Sequence, residues 1–360
     1  MYQSFEINNF RCFSQLTISD LERVNLIAGS NNVGKTALLE ALFLHSGAYN
    51  PELAIKINAF RGIERVKIEF GTWVESPWGL LFHQLDISKN IKLIGEDKTA
   101  GRRLLRLKII RDPIELAKIK EFLPYSSDNS REILSTSESA QVIELEFEEV
   151  ERKGKYYLIA NPNGIKTVPI PPAPPFPAFF QGARVRMPFK EEAERFGKLQ
   201  LQGKENVLLK VLQLIEPRLC SLKVVFFADE PIIHGDIGLK RLLPLPVMGE
   251  GMVRLFNLLL HIGNAPDGVV LLDEIENGIH HSMLAKIWGV IGEVAREFNT
   301  QVFATTHSLE CIIAAHKAFQ EQGIYDFRLH RLDRSKDTIK VVTYDQEALE
   351  TSIETGLEVR

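Results

Sequence analysis

Gly29-Ser30-Asn31-Asn32-Val33-Gly34-Lys35-Thr36 is the stretch whose reading decides the fold. It satisfies Gly-x-x-x-x-Gly-Lys-Ser/Thr at every position, and its flanks agree with it. Upstream, Val24-Asn25-Leu26-Ile27-Ala28 is a short apolar run suited to a buried strand, and downstream Ala37 to Leu44 are good helix formers. Strand, glycine loop and helix in that order predict a phosphate-binding loop. Gly29 and Gly34 let backbone N–H groups curl round an anion, Ser30, Asn31, Asn32 and Val33 complete the cradle, and the helix that starts near Gly34 adds its positive dipole end. Lys35 is placed to reach the β- and γ-phosphates of a nucleotide, and the Thr36 hydroxyl to ligate Mg2+.

Such a loop needs a carboxylate on a neighbouring strand to complete the magnesium site. After the turn Asn264 to Gly268 comes Val269-Val270-Leu271-Leu272, then Asp273 and Glu274. Four continuous apolar residues predict a strand buried on both faces, with the acids at its carboxyl end, where α/β sheets bind ligands. Asp273 is the expected Mg2+ ligand and Glu274 the residue that orients or deprotonates the attacking water. Gln301 to Thr306 predicts a second buried strand, ending at His307-Ser308; a histidine at that strand tip can hydrogen-bond a γ-phosphate and report its presence.

Four features together, Asn9-Phe10-Arg11-Cys12-Phe13, the loop with its double Asn, Leu272 to His280, and Ala304 to Ser308, resemble the ABC-type ATPases of the RecF, SMC and OLD group. The chain most resembles the stand-alone AAA-type ATPases of the OLD-like branch. The resemblance covers roughly residues 1–47 and 205–344. It implies an α/β fold, a P-loop ABC-type head with a parallel core sheet and an inserted antiparallel β-rich lobe, and it implies ATP and Mg2+ as cofactors. In that group heads pair face to face around two ATP molecules, each loop facing a glycine signature of the partner. Leu245-Pro246-Val247-Met248-Gly249-Glu250-Gly251-Met252 stands where the signature is expected, with Gly249 and Gly251 opening a helix over Val253 to Ile262. Met248 occupies the place of the usual serine, so contacts across the seam fall to backbone N–H groups and Arg254. By the same resemblance Asn277 and Gly278 correspond to the loop that crosses the dimer seam, and Arg11 lies beside the nucleotide.

The 360 residues allow two domains or one with a large insertion. The organisation expected is one head, 1–360, with the β-rich lobe at 48–165, a proline-rich linker and helix at 166–204, and the second half of the core at 205–360. Segments 64–73, 83–95, 102–111, 142–149 and 155–160 have strand character, a short helix is expected near 113–123, and Ser126 to Ser139 reads as a polar loop. No a/d heptad persists, which excludes long coiled-coil arms. Pro169 to Pro177 holds six prolines in nine residues and predicts a polyproline II strut.

Charge excludes a polycation that coats nucleic acid, since 43 Lys and Arg stand against 47 Asp and Glu. DNA contact, if present, is local; Arg102, Arg103, Arg106 and Lys108 form one candidate patch and Arg184, Arg186, Lys190 and Arg195 another. No apolar run approaches the roughly 20 residues of a membrane span, and the polar start lacks a secretory pattern, so the expected setting is cytoplasmic, away from membranes. Cys12, Cys220 and Cys311 are far apart and form no CxxC pair, which argues for small buried apolar roles. His280-His281 are adjacent on a helix and point about 100° apart, against a shared metal. Only 53 residues follow His307, a helix over Leu309 to Gln322, a hairpin of Asp326 to Leu332 with Thr338 to Tyr344, and a last helix. They have no room for the Toprim nuclease that many OLD-like proteins carry, which needs about a hundred residues. The function expected is an ATP-hydrolysing switch that forms a homodimer or higher homo-oligomer and gates a separate effector, a nuclease, in anti-phage defence or DNA processing. A scaffold that sequesters a toxic partner with little hydrolysis, and a RecF-like DNA repair clamp, are the alternatives.

Overall fold

The computed structural model describes residues 1–61, 78–98, 100–121, 141–161, 164–183, 186–336 and 338–360. The expected strand at 64–73 and the polar loop 126–139 lie outside them, as does Arg184. In chain order the strands are β1 (Tyr2–Phe10), β2 (Phe13–Ile18), β3 (Val24–Gly29), β4 (Ile91–Asp97), β5 (Gly101–Ile110), β6 (Gln141–Glu148), β7 (Lys153–Asn161), β8 (Gly164–Val168), β9 (Ala178–Gln181), β10 (Ser221–Phe227), β11 (Glu230–Asp236), β12 (Leu243–Pro244), β13 (Val269–Leu272), β14 (Gln301–Thr305), β15 (Phe327–Ser335) and β16 (Thr338–Tyr344). The helices are α1 (Lys35–Ser46), α2 (Leu53–Ala59), α3 (Pro113–Glu121), α4 (Phe189–Leu201), α5 (Glu205–Leu212), α6 (Glu250–Gly263), α7 (Leu284–Glu297), α8 (Leu309–Glu321) and α9 (Gln346–Glu354).

The core sheet has the order β16-β15-β3-β14-β13-β9 and is parallel except for β16. Its inner strands β3, β14 and β13 are buried at every residue, which is why they read as unbroken apolar runs rather than alternating ones. Parallel strands expose their carboxyl ends on one edge, so Gly29, Leu272 and Thr305 finish side by side and deliver the loops that follow them to one place.

A second sheet, order β2-β1-β4-β5-β6-β7-β8, is antiparallel throughout. Here alternation is clear: Ile143, Leu145 and Phe147 of β6 point into the core, whereas Glu144 and Glu146 face outward and pair with Lys155 and Arg106. Helix α1 lies between the two sheets, packing on β1 and β4 on one side and on β3, β13 and β14 on the other. It is buried nearly all round, the condition under which a helix carries apolar residues on every face. Truncating Leu38, Leu39 or Leu42, each fully buried, to Ala is the kind of change that costs about 2–5 kcal/mol. Helices α5 to α8 cover the far face of the core sheet in a second apolar cluster.

The strands of 48–165 form the expected antiparallel sheet completing the head, and they continue the sheet that β1 and β2 begin. Several expectations change. Segment 166–204 is more than linker and helix: its residues Ala178–Gln181 form β9, a core-sheet strand paired in parallel with β13. The proline run is the connection into that strand. Phe176 packs under the Arg103 guanidinium, and the Pro177 carbonyl accepts the Val269 N–H. Both basic patches are largely neutralised within the chain, through Arg103–Glu149, Arg106–Glu146, Lys108–Glu115, Arg186–Glu250 and Arg195–Glu191. Of the cysteines only Cys311 is buried; Cys12 is half-buried and Cys220 exposed. Among the described residues no helix is long and apolar enough to cross a membrane.

Candidate functional site

The loop after β3 turns on three left-handed or extended positive-φ residues, Gly29 at 140°, Asn32 at 60° and Gly34 at 109°. Gly34 is also a close approach: a Cβ there would stand 2.6 Å from Cys12 Sγ and 2.7 Å from the Phe13 ring, so the turn between β1 and β2 backs the loop. Lys35 opens α1, and its ammonium donates to the Gly29 and Ser30 carbonyls at 2.6 and 3.0 Å. Burial lowers its pKa, while Asp273, Glu276 and Glu274 pull it upward.

Thr36 and Asp273 meet as the motifs require. The Thr36 hydroxyl donates to the Asp273 carboxylate at 3.1 Å, and Thr305, at the end of β14, donates to the same group at 2.7 Å. Burial raises the Asp273 pKa; the two hydroxyl hydrogen bonds lower it, and Glu274 and Glu40 raise it further. A carboxyl strained upward in this way is less stable ionised, and a cation placed on it removes the penalty.

Two residues absent from the sequence-derived site share this corner. Gln181, the last residue of β9, lines a narrow cleft with Asp273 and Arg254, and its Oε1 is buried without a hydrogen-bond partner. Its signal was hidden because a four-residue strand after a proline run carries no periodicity. Thr36 and Asp273 offer only oxygen donors, the chemistry Mg2+ prefers, and one carboxylate with one hydroxyl leaves room for phosphate ligands. The donors therefore fit the expected cation. Glu276 is the second: its Oε1 accepts from Thr306 Oγ1 at 2.8 Å and from the His307 backbone N–H at 3.0 Å.

Glu274 sits just beyond Asp273 with φ of 50°, a costly backbone for a non-glycine residue and of the kind found at functional sites. Its Oε2 accepts from Asn277 Nδ2 at 2.5 Å, and its N–H donates to Thr305 Oγ1. Asn277 and Gly278 follow immediately, so the seam-loop residues lie against the site in the same chain. His307 is half exposed, with Nδ1 3.3 Å from Glu276 Oε1.

The glycine signature lies on the same side. Leu245–Met248 is a single 3-10 turn, Gly249 caps α6 at φ 116°, and Gly251 is packed so tightly that a Cβ would stand 2.5 Å from the Gly278 carbonyl. The helix starts at Glu250, three residues earlier than its periodicity suggests, because the glycines carry no apolar signal. Arg254 is turned inward, donating to the carbonyls of Ala183 and Glu274 at 2.9 and 3.1 Å, which ties α6 to the Asp273-Glu274 turn.

Arg11 is held by its own chain. Its guanidinium donates to Glu40 Oε2 at 3.1 Å, Asn58 Oδ1 at 2.8 Å and the Leu80 carbonyl at 3.1 Å, and none of these bonds goes to the loop. The reason is Glu40, a fully buried carboxylate on α1 that needs cations, and takes them from Arg11 and from Arg61 at 2.6 Å. Arg61, unnoticed in the sequence, is also close enough to Asp273 for that charge to raise its pKa. Among the described residues no cluster of three His, Cys, Asp or Glu is arranged to hold a metal, and His280 instead caps a turn through Ser282.

A parallel sheet with a phosphate loop, a Thr–Asp cation corner and a glutamate beside it, joined to an antiparallel sheet across α1, defines a P-loop ATPase with an ABC-type head. The family profile described as "AAA domain, putative AbiEii toxin, Type IV TA system" matches residues 24–312, and the chain belongs to that family. An "ATP/GTP phosphatase" of Helicobacter pylori (strain ATCC 700392 / 26695) is 22% identical over 386 aligned positions, spanning 97% of each chain. An uncharacterised protein of Methanocaldococcus jannaschii is 42% identical over 48 residues, 13% of this chain and 22% of the other. Among solved structures, the SMC head bound to the C-terminal winged-helix domain of ScpA superposes with a TM-score of 0.50 at 12% identity, over 98% of this chain and 99% of the other; the likeness is one of fold.

Proposed function

We propose that this chain is an ATP-driven switch whose heads close face to face on ATP and open on hydrolysis, gating a separate effector protein. Carrying the proposal is the juxtaposition of a complete Walker corner with the outward-facing signature turn: Gly249 has open space around the position of a Cβ, and Val247 beside it is 70% exposed. On this reading the Lys35 ammonium exchanges the Gly29 and Ser30 carbonyls for the β- and γ-phosphates, and the loop N–H groups hold the remaining phosphate oxygens. Thr36 and Asp273 would hold Mg2+, which supplies charge neutralisation at the phosphates. Glu274 takes the proton of the attacking water once Asn277 releases its carboxylate, and His307 contacts the γ-phosphate. Gly249 and Gly251 present the amino end of α6 to the nucleotide of the opposite subunit. Arg11 serves the switch indirectly, by fixing α1 through Glu40.

The effector is inferred to be a nuclease in anti-phage defence or DNA processing, with DNA reached through the complex and the chain acting in the cytoplasm. Support for a partner protein comes from the SMC head, solved with a domain of ScpA on it. Hydrolysis is supported by the phosphatase name of the Helicobacter pylori relative. A second reading, a scaffold that holds a toxic partner with little hydrolysis, draws on the toxin–antitoxin description of the family and on the Asn277–Glu274 contact, which keeps the base occupied.

Affinity purification of the full chain with ATP, light scattering with and without ATP, and phosphate release separate the two. ATP-dependent dimers with turnover support the switch; a co-purifying partner with no turnover supports the scaffold. Lys35→Ala is expected to weaken ATP binding about 100-fold or more, the scale on which one preorganised phosphate donor acts; unchanged binding by calorimetry would remove the loop from the proposal.

A further inference from the structure

Glu276 belongs to neither the cation corner nor the base, yet it is buried at the site with an unusual division of labour. One oxygen, Oε1, accepts from Thr306 Oγ1 at 2.8 Å and from the His307 N–H at 3.0 Å, and it stands 3.3 Å from His307 Nδ1. The other, Oε2, is buried and has no hydrogen-bond partner among the described residues. Its side chain is 11% exposed, against 49% for His307, and among the described residues no lysine or arginine ion-pairs with it. Among the described residues, the histidine ring is the cationisable group at ion-pair distance from this carboxylate.

We propose that Glu276 is the positioning residue that makes His307 a cationic reader of the γ-phosphate. An ionised carboxylate only accepts hydrogen bonds, so a ring that bonds to it through Nδ1 carries its proton there. In a neutral ring held that way, Nε2 is a lone pair and repels a phosphate oxygen. A second proton converts Nε2 into a donor, and the resulting imidazolium sits between two anions, Glu276 on one side and the γ-phosphate on the other. The γ-phosphate is thus read by charge as well as by contact, and ADP, which lacks it, gains nothing from the pair. Thr306 and the His307 N–H hold the loop while the ring responds. This inference rests on the sensor role of His307 proposed above.

The test measures dissociation constants of a non-hydrolysable ATP analogue and of ADP, each with Mg2+, for the full-length wild type, Glu276→Gln, His307→Ala and the double variant. Expected is a loss of about tenfold in the preference for the triphosphate in Glu276→Gln, the scale of one charge-assisted hydrogen bond, with ADP affinity kept. His307→Ala should lose the same amount and the double variant no more, because the two act as one unit. With labelled histidine, both ring nitrogens of His307 should be protonated when the analogue is bound to the wild type and only one in Glu276→Gln. A wild-type preference retained by Glu276→Gln while His307→Ala loses it, or losses that multiply in the double variant, would overturn the proposal. A harmless His307→Ala would overturn it differently, by removing the sensor role itself. If Glu276→Gln no longer binds ADP, Glu276→Asp decides: preference retained with the shorter charged arm supports the pair, and preference lost with ADP binding intact rejects it.

Discussion

On the Walker side of the site most polar groups close on one another, with Gln181 Oε1 and Glu276 Oε2 the exceptions among the described residues. Thr36 and Thr305 both donate to Asp273, Asn277 to Glu274, and Thr306 to Glu276, at 2.5–3.1 Å. On the signature side Gly249 meets nothing within 4 Å at the position of a Cβ among the described residues, and Val247 is 70% exposed. The two regions are joined by Gly251 against Gly278 and by Arg254 on the Glu274 carbonyl, so they are near neighbours built to different standards. A set of groups that satisfy each other is ready to trade those bonds for a ligand. A helix end whose N–H groups face outward lacks partners of its own, and takes them from water or from another molecule.

The largest expected effect sharpens the closed side. Glu274→Gln should slow phosphate release by about 10²- to 10⁴-fold, the range for removal of a general base, while ATP affinity changes little. Turnover near the wild-type level would move the base elsewhere. Next is Arg11→Ala, which strands part of a buried charge: the Glu40 carboxylate keeps only Arg61. Unfolding free energy should fall by about 3 kcal/mol in denaturant titration. If stability is kept and ATP affinity falls instead, Arg11 touches the nucleotide after all.

Gly251→Ala tests the join between the two regions. The added methyl would lie 2.5 Å from the Gly278 carbonyl, so the seam loop must shift. ATP-dependent dimer formation, read by light scattering, should weaken roughly tenfold with ATP affinity of the single subunit retained, a cost of the size set by local overpacking. An unaffected dimer would break the link between the Gly251–Gly278 packing and assembly.

The smallest effect belongs to the interior behind the loop. Burial pushes His261 and His330 down to about 3 from the ordinary 6.5. Between those values the unfolded chain binds more protons than the folded one, so the stability they contribute is present above pH 6.5 and is lost as the pH falls toward 3. In scanning calorimetry of the nucleotide-free chain, His330→Asn should reduce the acid-induced drop in melting temperature by a few degrees. A slope equal to that of the wild type would place the acid sensitivity elsewhere.

What could be read in advance divides along the same physical lines. Inner strands buried on both faces announce themselves as apolar runs, so β3, β13 and β14 and the loops at their tips were legible, together with Thr36, Asp273, Glu274 and His307. The antiparallel pairs were legible wherever alternation was strong, as in β6. Long-range pairing was not. Nothing in Ala178-Phe179-Phe180-Gln181 says that it lies beside β13, and nothing local says that β1 and the later strands share a sheet. Buried charge was equally silent. Glu40 looks like one more helix former in a good helix, and only the folded chain shows that it claims Arg11 and Arg61. Glu276 was hidden beside two more conspicuous acids.

The phosphate loop is made early in synthesis, but its supporting strand waits for the rest of the chain. β3 ends at Gly29, while its two neighbours are β14, whose Val302 pairs with Val24, and β15, whose Phe327 does the same. The chain must therefore extend about 270 residues past the loop before the strand that carries it acquires a hydrogen-bonded neighbour. A nascent or truncated chain ending short of β14 holds the whole loop sequence without the sheet that shapes it. The loop's strand is held by its sheet neighbours only once β14 has been made.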